Sequence, residues 1–450
     1  MQQIDFSQGS IRRRILAVAT PMLIAQLLNL LYNIVDRIYI GKIPGEGTLA
    51  LASIGFCFPF VTLITAFANL FGLGGAPLCA MARGKGNREG AQGIMVNAGF
   101  MLLLSGAVLT VLGIAFHRPL LYLFGASEVT YPYASSYIVI YLIGTLCVML
   151  SLGLNPYINC QGFARTGMLT VALGAAANIV LDPIFIFALH LGVRGAAIAT
   201  VLSQFLSAAW VVKFLTSKKA ELKLGFRGFR PDCQCIQRIT VLGIASFVMS
   251  FTDTLVQVAC NATLRNFGGD LYISVMTVLN SVRQIAQTPV LAIADGASTA
   301  ISYNYGAGLY KRTRDAIRFM TQIAIGYTML VWMLVSLFPA LFIRIFNQDA
   351  ELVAAAVPAL HIYFFGFVMM AFQYAGQSTF RALGRAKYAV FFSLLRKAFI
   401  VVPLTLLLPY CWNLGVSGVF AAEPVSNCIG GLACYFTMRH VVMPELKMEN

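Results

Sequence analysis

Acidic side chains are scarce in this chain. Only 17 Asp and Glu stand beside 32 Lys and Arg in 450 residues, and charged residues of both signs make up 11% of it. A soluble domain carries about a quarter. Too few charges remain to cover the apolar runs with a hydrated surface, which excludes a soluble enzyme and a disordered chain. Histidine is rarer still. His117, His190, His361 and His440 sit far apart near the ends of apolar runs, so they suggest no metal cluster. The motifs His-Glu-x-x-His, Gly-x-x-x-x-Gly-Lys-Ser/Thr and Gly-x-Ser-x-Gly are all missing. Their absence argues against zinc hydrolysis, direct use of ATP and a serine nucleophile on a sharp turn. Cysteine is present but carries no framework. Cys57, Cys79, Cys147, Cys160, Cys260, Cys428 and Cys434 lie in or beside apolar runs, where the thiol behaves as a small hydrophobe. Cys411 ends a run, and Cys233 with Cys235 is a Cys-x-Cys lacking the second pair that a zinc site needs. No catalysis, cofactor or resident metal is expected.

What the chain has in abundance is apolar length. Hydrophobic residues make up 59% of it, and the mean hydropathy is +0.78. About 20 apolar residues cross a bilayer as a helix. Cutting at charged or Gly/Pro-rich breaks gives twelve spans, near 15–41, 49–78, 93–116, 133–155, 167–189, 195–215, 239–264, 271–299, 316–343, 352–378, 388–410 and 414–438. Barrel strands would be about 10 residues long with strict alternation, so the expected fold is an all-α polytopic membrane protein. Arg12-Arg13-Arg14 followed by Ile15 to Leu31 imitates a signal peptide. It lacks a small-residue cleavage site and reads as a retained first helix.

The net charge of +15 would suggest nucleic acid in a soluble protein, but here the bases alternate with the spans. With the N-terminus in the cytoplasm, 23 Lys and Arg fall on the cytoplasmic side, five on the outer side and four within spans. That imbalance predicts both termini inside, in a plasma (inner) membrane. No nucleic-acid partner is expected, and a monomer is. The longest break, 216–238, is basic with interleaved Phe226, Arg227, Phe229 and Arg230. An RNA-binding strip is one reading. A linker on the anionic cytoplasmic leaflet is the favoured one.

That linker also divides an internal repeat. Gly84-Lys85-Gly86 answers Gly306-Ala307-Gly308 at an offset of 222, and Tyr141 with Gly144 answers Tyr363 with Gly366 at the same offset. Arg165 and Pro183 answer Arg385 and Pro403 at 220, and Leu191-Gly192-Val193-x-Gly195 answers Leu414-Gly415-Val416-x-Gly418 at 223. The expected organisation is an N-lobe of six spans (1–215), a cytoplasmic linker (216–238) and a C-lobe of six spans (239–450). The lobes would be related by a pseudo-two-fold axis along the membrane normal, with substrate handled between them.

Acids inside such spans are functional candidates, because a charge at mid-bilayer costs about 2.5–3.5 kcal/mol on insertion scales. Gln26, Asn29, Asn33 and Asp36 are spaced 3, 4 and 3, so they share one helical face that must line a wet cavity or another helix. Pro21 lies 15 residues before Asp36, about 22 Å along a helix, and proline permits a bend. An acid and a hinge on one helix predict a protonation-driven bend. The plainer alternative is a proline near the first turn and an aspartate snorkelling at the outer interface. Asn178 and Asp182 share a face beside Pro183, and Thr200, Ser203 and Gln204 form a further polar patch. Together they could hold an exchangeable proton or grip Na⁺ through several oxygens. In the second half, Asp253, Gln257, Arg283, Asp295 and Glu423 are candidates for a substrate cavity, with Arg283 a neutraliser of one of the acids.

These residues resemble a known family, the multidrug and toxic compound extrusion (MATE) transporters. The likeness runs over nearly the whole chain. It includes Pro21 with Tyr32-Asn33-Ile34-Val35-Asp36, Gly84-Lys85-Gly86-Asn87-Arg88-Glu89, Asn178 to Pro183, Gly192 to Thr200 and Tyr303-Asn304-Tyr305-Gly306-Ala307-Gly308. The resemblance implies two six-helix lobes, cation antiport by alternating access and export of small amphipathic, cationic drugs. In the DinF-like and MepA-like branches, the N-lobe ion site matches Asp36, Asn178, Asp182 and Thr200. The NorM-like branch adds an acid in span ten, where this chain has Gln373 and Gln377 instead. The alternative is a lipid-linked saccharide flippase, which would bring a cationic cavity. The mid-span bases are Arg37, Arg283, Arg396 and Lys397.

Overall fold

A chain crossing hydrocarbon has no water for its backbone amides, and a helix satisfies them within each segment. The computed structural model describes residues 3–44, 47–225, 230–346, 348–411 and 414–448. Among these the apolar runs are helical and no strand occurs. In the first half, α1 is Ile11–Gly41, α2 Phe58–Gly84 and α3 Arg88–Leu123. The bent pair Tyr131–Ile143 and Thr145–Cys160 forms α4, followed by α5, Ala164–Ala188, and α6, Gly192–Thr216. In the second half, α7 is Cys233–Gly269 and α8 is 270–306, parted by a kink at Gly269. Then come α9, Tyr310–Leu337, α10, the bent pair Ala350–Phe364 and Met369–Ala382, α11, Ala386–Leu407, and α12, Val416–Met448. Eight of these are apolar enough to cross a membrane by themselves, and the two bent pairs make ten. The more polar α8 and α12 complete the twelve, and they carry Arg283, Asp295 and Glu423.

Packing divides the chain into two compact units. One comprises Met1–Asp5 with Thr20–Gly243, the other Phe6–Ala19 with Ile244–Asn450. The first nine residues of α1 therefore belong with the second unit and the remainder with the first. In the first unit, small residues let helices approach closely. A Cβ on Gly72 of α2 would lie 2.7 Å from the Gly153 carbonyl of α4, so the crossing requires glycine. Beside it, the fully buried Tyr157 hydroxyl donates to the Phe71 carbonyl at 2.8 Å. The core of the second unit is built from Leu279, Val282, Leu360, Phe364 and Phe420. Large apolar side chains such as Val111, Phe251, Phe391 and Phe399 are exposed, as lipid-facing positions are.

The repeat read from the sequence reappears as matching backbone. Gly86 and Gly308 close α2 and α8 with φ of +75° and +70°, a left-handed conformation that strains any residue with a Cβ. Gly192 and Gly415 match equally well, at +53° and +51°. The two bent pairs also correspond. α4 turns by 55° at Gly144, and α10 by 50° across the break that holds Gly366. A π-helical turn, Ile184–Ala188, follows Pro183, and another, Leu395–Val401, ends two residues before Pro403. Proline cannot donate its backbone bond, and the helical register slips beside it.

Part of the linker packs against the first unit. Ala220, Leu222 and Leu224 are buried, and the Leu222 amide donates to Gln161 at 2.9 Å. The carboxylate of Glu221 pairs with Arg83, and Arg88 donates to its carbonyl at 2.6 Å. This part of the linker is pinned to the first unit by alternating apolar residues and one acid, a pattern that the surrounding bases mask. Phe226, Arg227 and Phe229 lie outside the described residues.

Candidate functional site

Each unit contains a polar cavity, and the two differ in chemistry. That of the first unit has a volume of about 530 Å³. α1 contributes Gln26, Asn29 and Asn33 from one face, as their spacing required, and the Asn33 amide donates to the Asn29 carbonyl at 2.7 Å. α5 contributes Asn178, and α6 contributes Thr200, Ser203 and Gln204. The Ser151 hydroxyl of α4 donates to Gln204 at 2.9 Å. Asn178 joins the cavity to the carboxylates. Its amide nitrogen donates to Asp182 Oδ1 at 3.1 Å, four residues on along the same helix face. Asp182 is fully buried, and the carboxyl of Asp36 comes within hydrogen-bonding reach of it.

The oxygens of this cluster are under-used. Asp36 Oδ1, Asn178 Oδ1 and Asp182 Oδ2 are buried without a hydrogen-bond partner, and so are Asn155 Oδ1 and Asn159 Oδ1 on the cavity wall. Buried polar atoms are normally paired, so the unpaired oxygens of Asp36, Asn178 and Asp182 mark a place for a proton or a small cation. Asn155 and Asn159 lie beside Gly167, about three turns of α5 from Asn178. Asn155 and Asn159 were not singled out from the sequence. Their signal is a pair of amides four apart in an apolar run. Gly167 makes room for both, because a Cβ there would lie 2.2 Å from Asn159 Oδ1 and 3.0 Å from Asn155 Oδ1.

Pro21 lies within α1, which begins at Ile11, so it is not in the first turn. Its ring leaves the Ala17 carbonyl without the usual helical donor. The helix changes packing unit between Ala19 and Thr20, directly before it.

The cavity of the second unit has a volume of about 390 Å³ and is built around ion pairs. Glu423 is buried, and its Oε1 accepts from Arg283 at 2.5 Å, Arg396 at 3.0 Å and Lys397 at 3.3 Å. Arg283 also donates to the Tyr363 hydroxyl at 2.8 Å, which in turn donates to Asn280 at 2.9 Å. Arg396 donates to Asn427 at 2.7 Å. Lys397 reaches Asp253 at 3.0 Å, whose side chain is 51% exposed. Asp253, Gln257, Arg283 and Glu423 thus share one cavity. Asp295 is absent from that lining and faces Arg381 at 3.8 Å. The sequence singled out neither Arg396 nor Lys397 as a site residue, although two adjacent bases inside a span are a costly arrangement that signals a partner. Gln373 and Gln377 are buried and bonded to each other at 3.1 Å.

Comparison with known proteins gives a coherent result. The MatE family model matches residues 21–184 and again 245–407. The multidrug export protein MepA of Staphylococcus haemolyticus is 23% identical over 97% of this chain and 95% of its own length. An FAD transporter of Shewanella oneidensis is 24% identical, covering 96% of each chain. A crystal structure of a MATE protein in the bent conformation superposes with a TM-score of 0.94 at 23% identity, covering 100% of this chain and 99% of that one.

Proposed function

The chain belongs to the MatE family, and from that premise we propose that it is a cation-coupled efflux antiporter whose ion site is formed by Asp36, Asp182, Asn178 and Thr200. Members of the family are transporters, and this chain is a membrane transporter rather than an enzyme. The proposal concerns its coupling and its cargo. The observation that carries it is the approach of the Asp36 and Asp182 carboxyls beside unpaired buried oxygens of Asp36, Asn178 and Asp182. Two neighbouring carboxylates repel while both are charged, and a bound proton or small cation relieves the repulsion. An all-oxygen donor set suits a proton or a hard cation such as Na⁺.

Coupling then follows from exchange. Taking up the ion from outside removes the repulsion between α1 and α5 and lets α1 bend beside Pro21. Releasing the ion inside restores it, and cargo moves in the opposite direction as the access alternates. The unpaired acceptors of the same cavity favour small amphipathic cations as cargo. MepA is a multidrug export protein by name, which supports the same reading. The imbalance of 23 inner to 5 outer bases supports an inner-membrane protein with both termini in the cytoplasm.

The test uses full-length protein in proteoliposomes carrying an imposed ion gradient, with ethidium efflux as the readout. Asp36→Asn should abolish gradient-driven efflux with expression unchanged, and wild-type transport by that variant refutes the site. Replacing external Na⁺ with choline at fixed pH then separates the ions. Efflux that stops identifies Na⁺, and efflux that persists identifies H⁺.

A further inference from the structure

The second cavity has the opposite character from the first, and the ion-coupling reading makes no use of it. Of the residues lining it, Arg283, Arg396 and Lys397 are basic and Asp253 and Glu423 acidic, an excess of one positive charge. The two acids are not equivalent. Glu423 is buried and already contacted by all three bases through one oxygen. Asp253 is half exposed, so its bond to the buried Lys397 is screened by solvent on the aspartate side. The buried part of the cluster therefore holds three cations against one carboxylate. No lining residue has a buried unpaired oxygen among the described residues, whereas the first cavity has several. A cation entering here would meet three bases, whose charge exceeds that of the two acids.

From this geometry we propose that the cavity of the second unit binds an organic anion, a phosphate or carboxylate carried on an aromatic body. The anionic group displaces Asp253 from Lys397, and Arg396 adds its charge from the buried side. Glu423 stays in place as the internal carboxylate that holds the three bases together. The structure shows that the cluster can hold a carboxylate, because it holds this one. Around the charged end, Gln257, Gln284 and Gln287 offer amides, while Tyr374, Met249 and Met276 offer surfaces suited to a planar ring. The site is independent of Asp36 and Asp182, so it stands or falls apart from the coupling proposal.

The experiment measures equilibrium binding of adenosine monophosphate and of adenosine to the full-length protein in phosphatidylcholine nanodiscs. The two probes differ by one phosphate and both remain in water. Adenosine monophosphate should bind more tightly than adenosine by about tenfold or more. Lys397→Gln should remove that preference. Asp253→Asn should tighten adenosine monophosphate, a gain that misfolding cannot produce. An organic phosphate can also arrive as a lipid headgroup. Competition by added phosphatidylglycerol indicates that source, and undisturbed binding indicates a soluble anion. Equal affinity for the two probes, no binding of either, or weaker adenosine monophosphate binding in Asp253→Asn would overturn the proposal.

Discussion

Glu423 shows how much can depend on one side chain. Three bases converge on its Oε1, and none of Arg283, Arg396 and Lys397 has another buried carboxylate in the cavity. Removing one partner of a buried ion pair costs about 3–5 kcal/mol, because the remaining charge stays desolvated and unpaired. Glu423→Gln should accordingly lower the thermal unfolding midpoint of the purified protein by more than Lys397→Gln does, since the lysine leaves behind two bases that still share the glutamate. A Glu423→Gln midpoint equal to that of the wild type would mean the cluster contributes nothing to stability. The sequence made Glu423, Asp253 and Arg283 visible as charges inside spans, and even the pairing of Arg283 with an acid was legible. Arg396 and Lys397 were counted as mid-span bases without a partner. Their partners come from α7 and α12, and residues far apart in sequence leave no local spacing to read. Asn178 and Asp182 were easier, because four residues along a helix place two side chains on one face whatever surrounds them.

At the level of the helix, glycine and proline carried most of what could be read. They marked the repeat, and the repeated positions proved to share backbone conformation at Gly86 and Gly308 and at Gly192 and Gly415. The bends of 55° and 50° were not foreseen, although Gly144 and Gly366 had been matched as repeat positions. A helix break depends on what packs against it as well as on the residue at its centre. The same dependence separates two glycines that look alike in the sequence. Gly72 faces the Gly153 backbone with no room for a Cβ, whereas Gly93 on α3 has nothing within 4 Å. Gly72→Ala should push α2 and α4 apart and lower the unfolding midpoint by several degrees, as a core overpacking cost of about 1–3 kcal/mol implies. Gly93→Ala should leave the midpoint unchanged or raise it slightly, since alanine favours the helix by about 1 kcal/mol. Equal effects from the two would mean that the α2–α4 crossing is looser than its geometry.

The whole molecule is ordered by its membrane, and its topology can be tested with residues it already has. On the proposed orientation, the span count and the distribution of bases predict the loop before α7 in the cytoplasm and the loop between α11 and α12 outside. Two native cysteines mark these loops. Cys233 begins α7 and Cys411 follows α11, and they are the exposed cysteines among the described residues. The others that the structure describes are buried or half-buried, so a membrane-impermeant maleimide can distinguish the two faces without a cysteine-free background. Applied to intact cells, it should label Cys411, and Cys411→Ser should remove the signal. Applied to inverted vesicles, it should label Cys233, with Cys233→Ser as the matching control. Labelling of Cys233 in intact cells would turn the molecule over. The bases assigned to the cytoplasm would then face outward, and the carboxylates of α1 and α5 would have to load their ion from the opposite side.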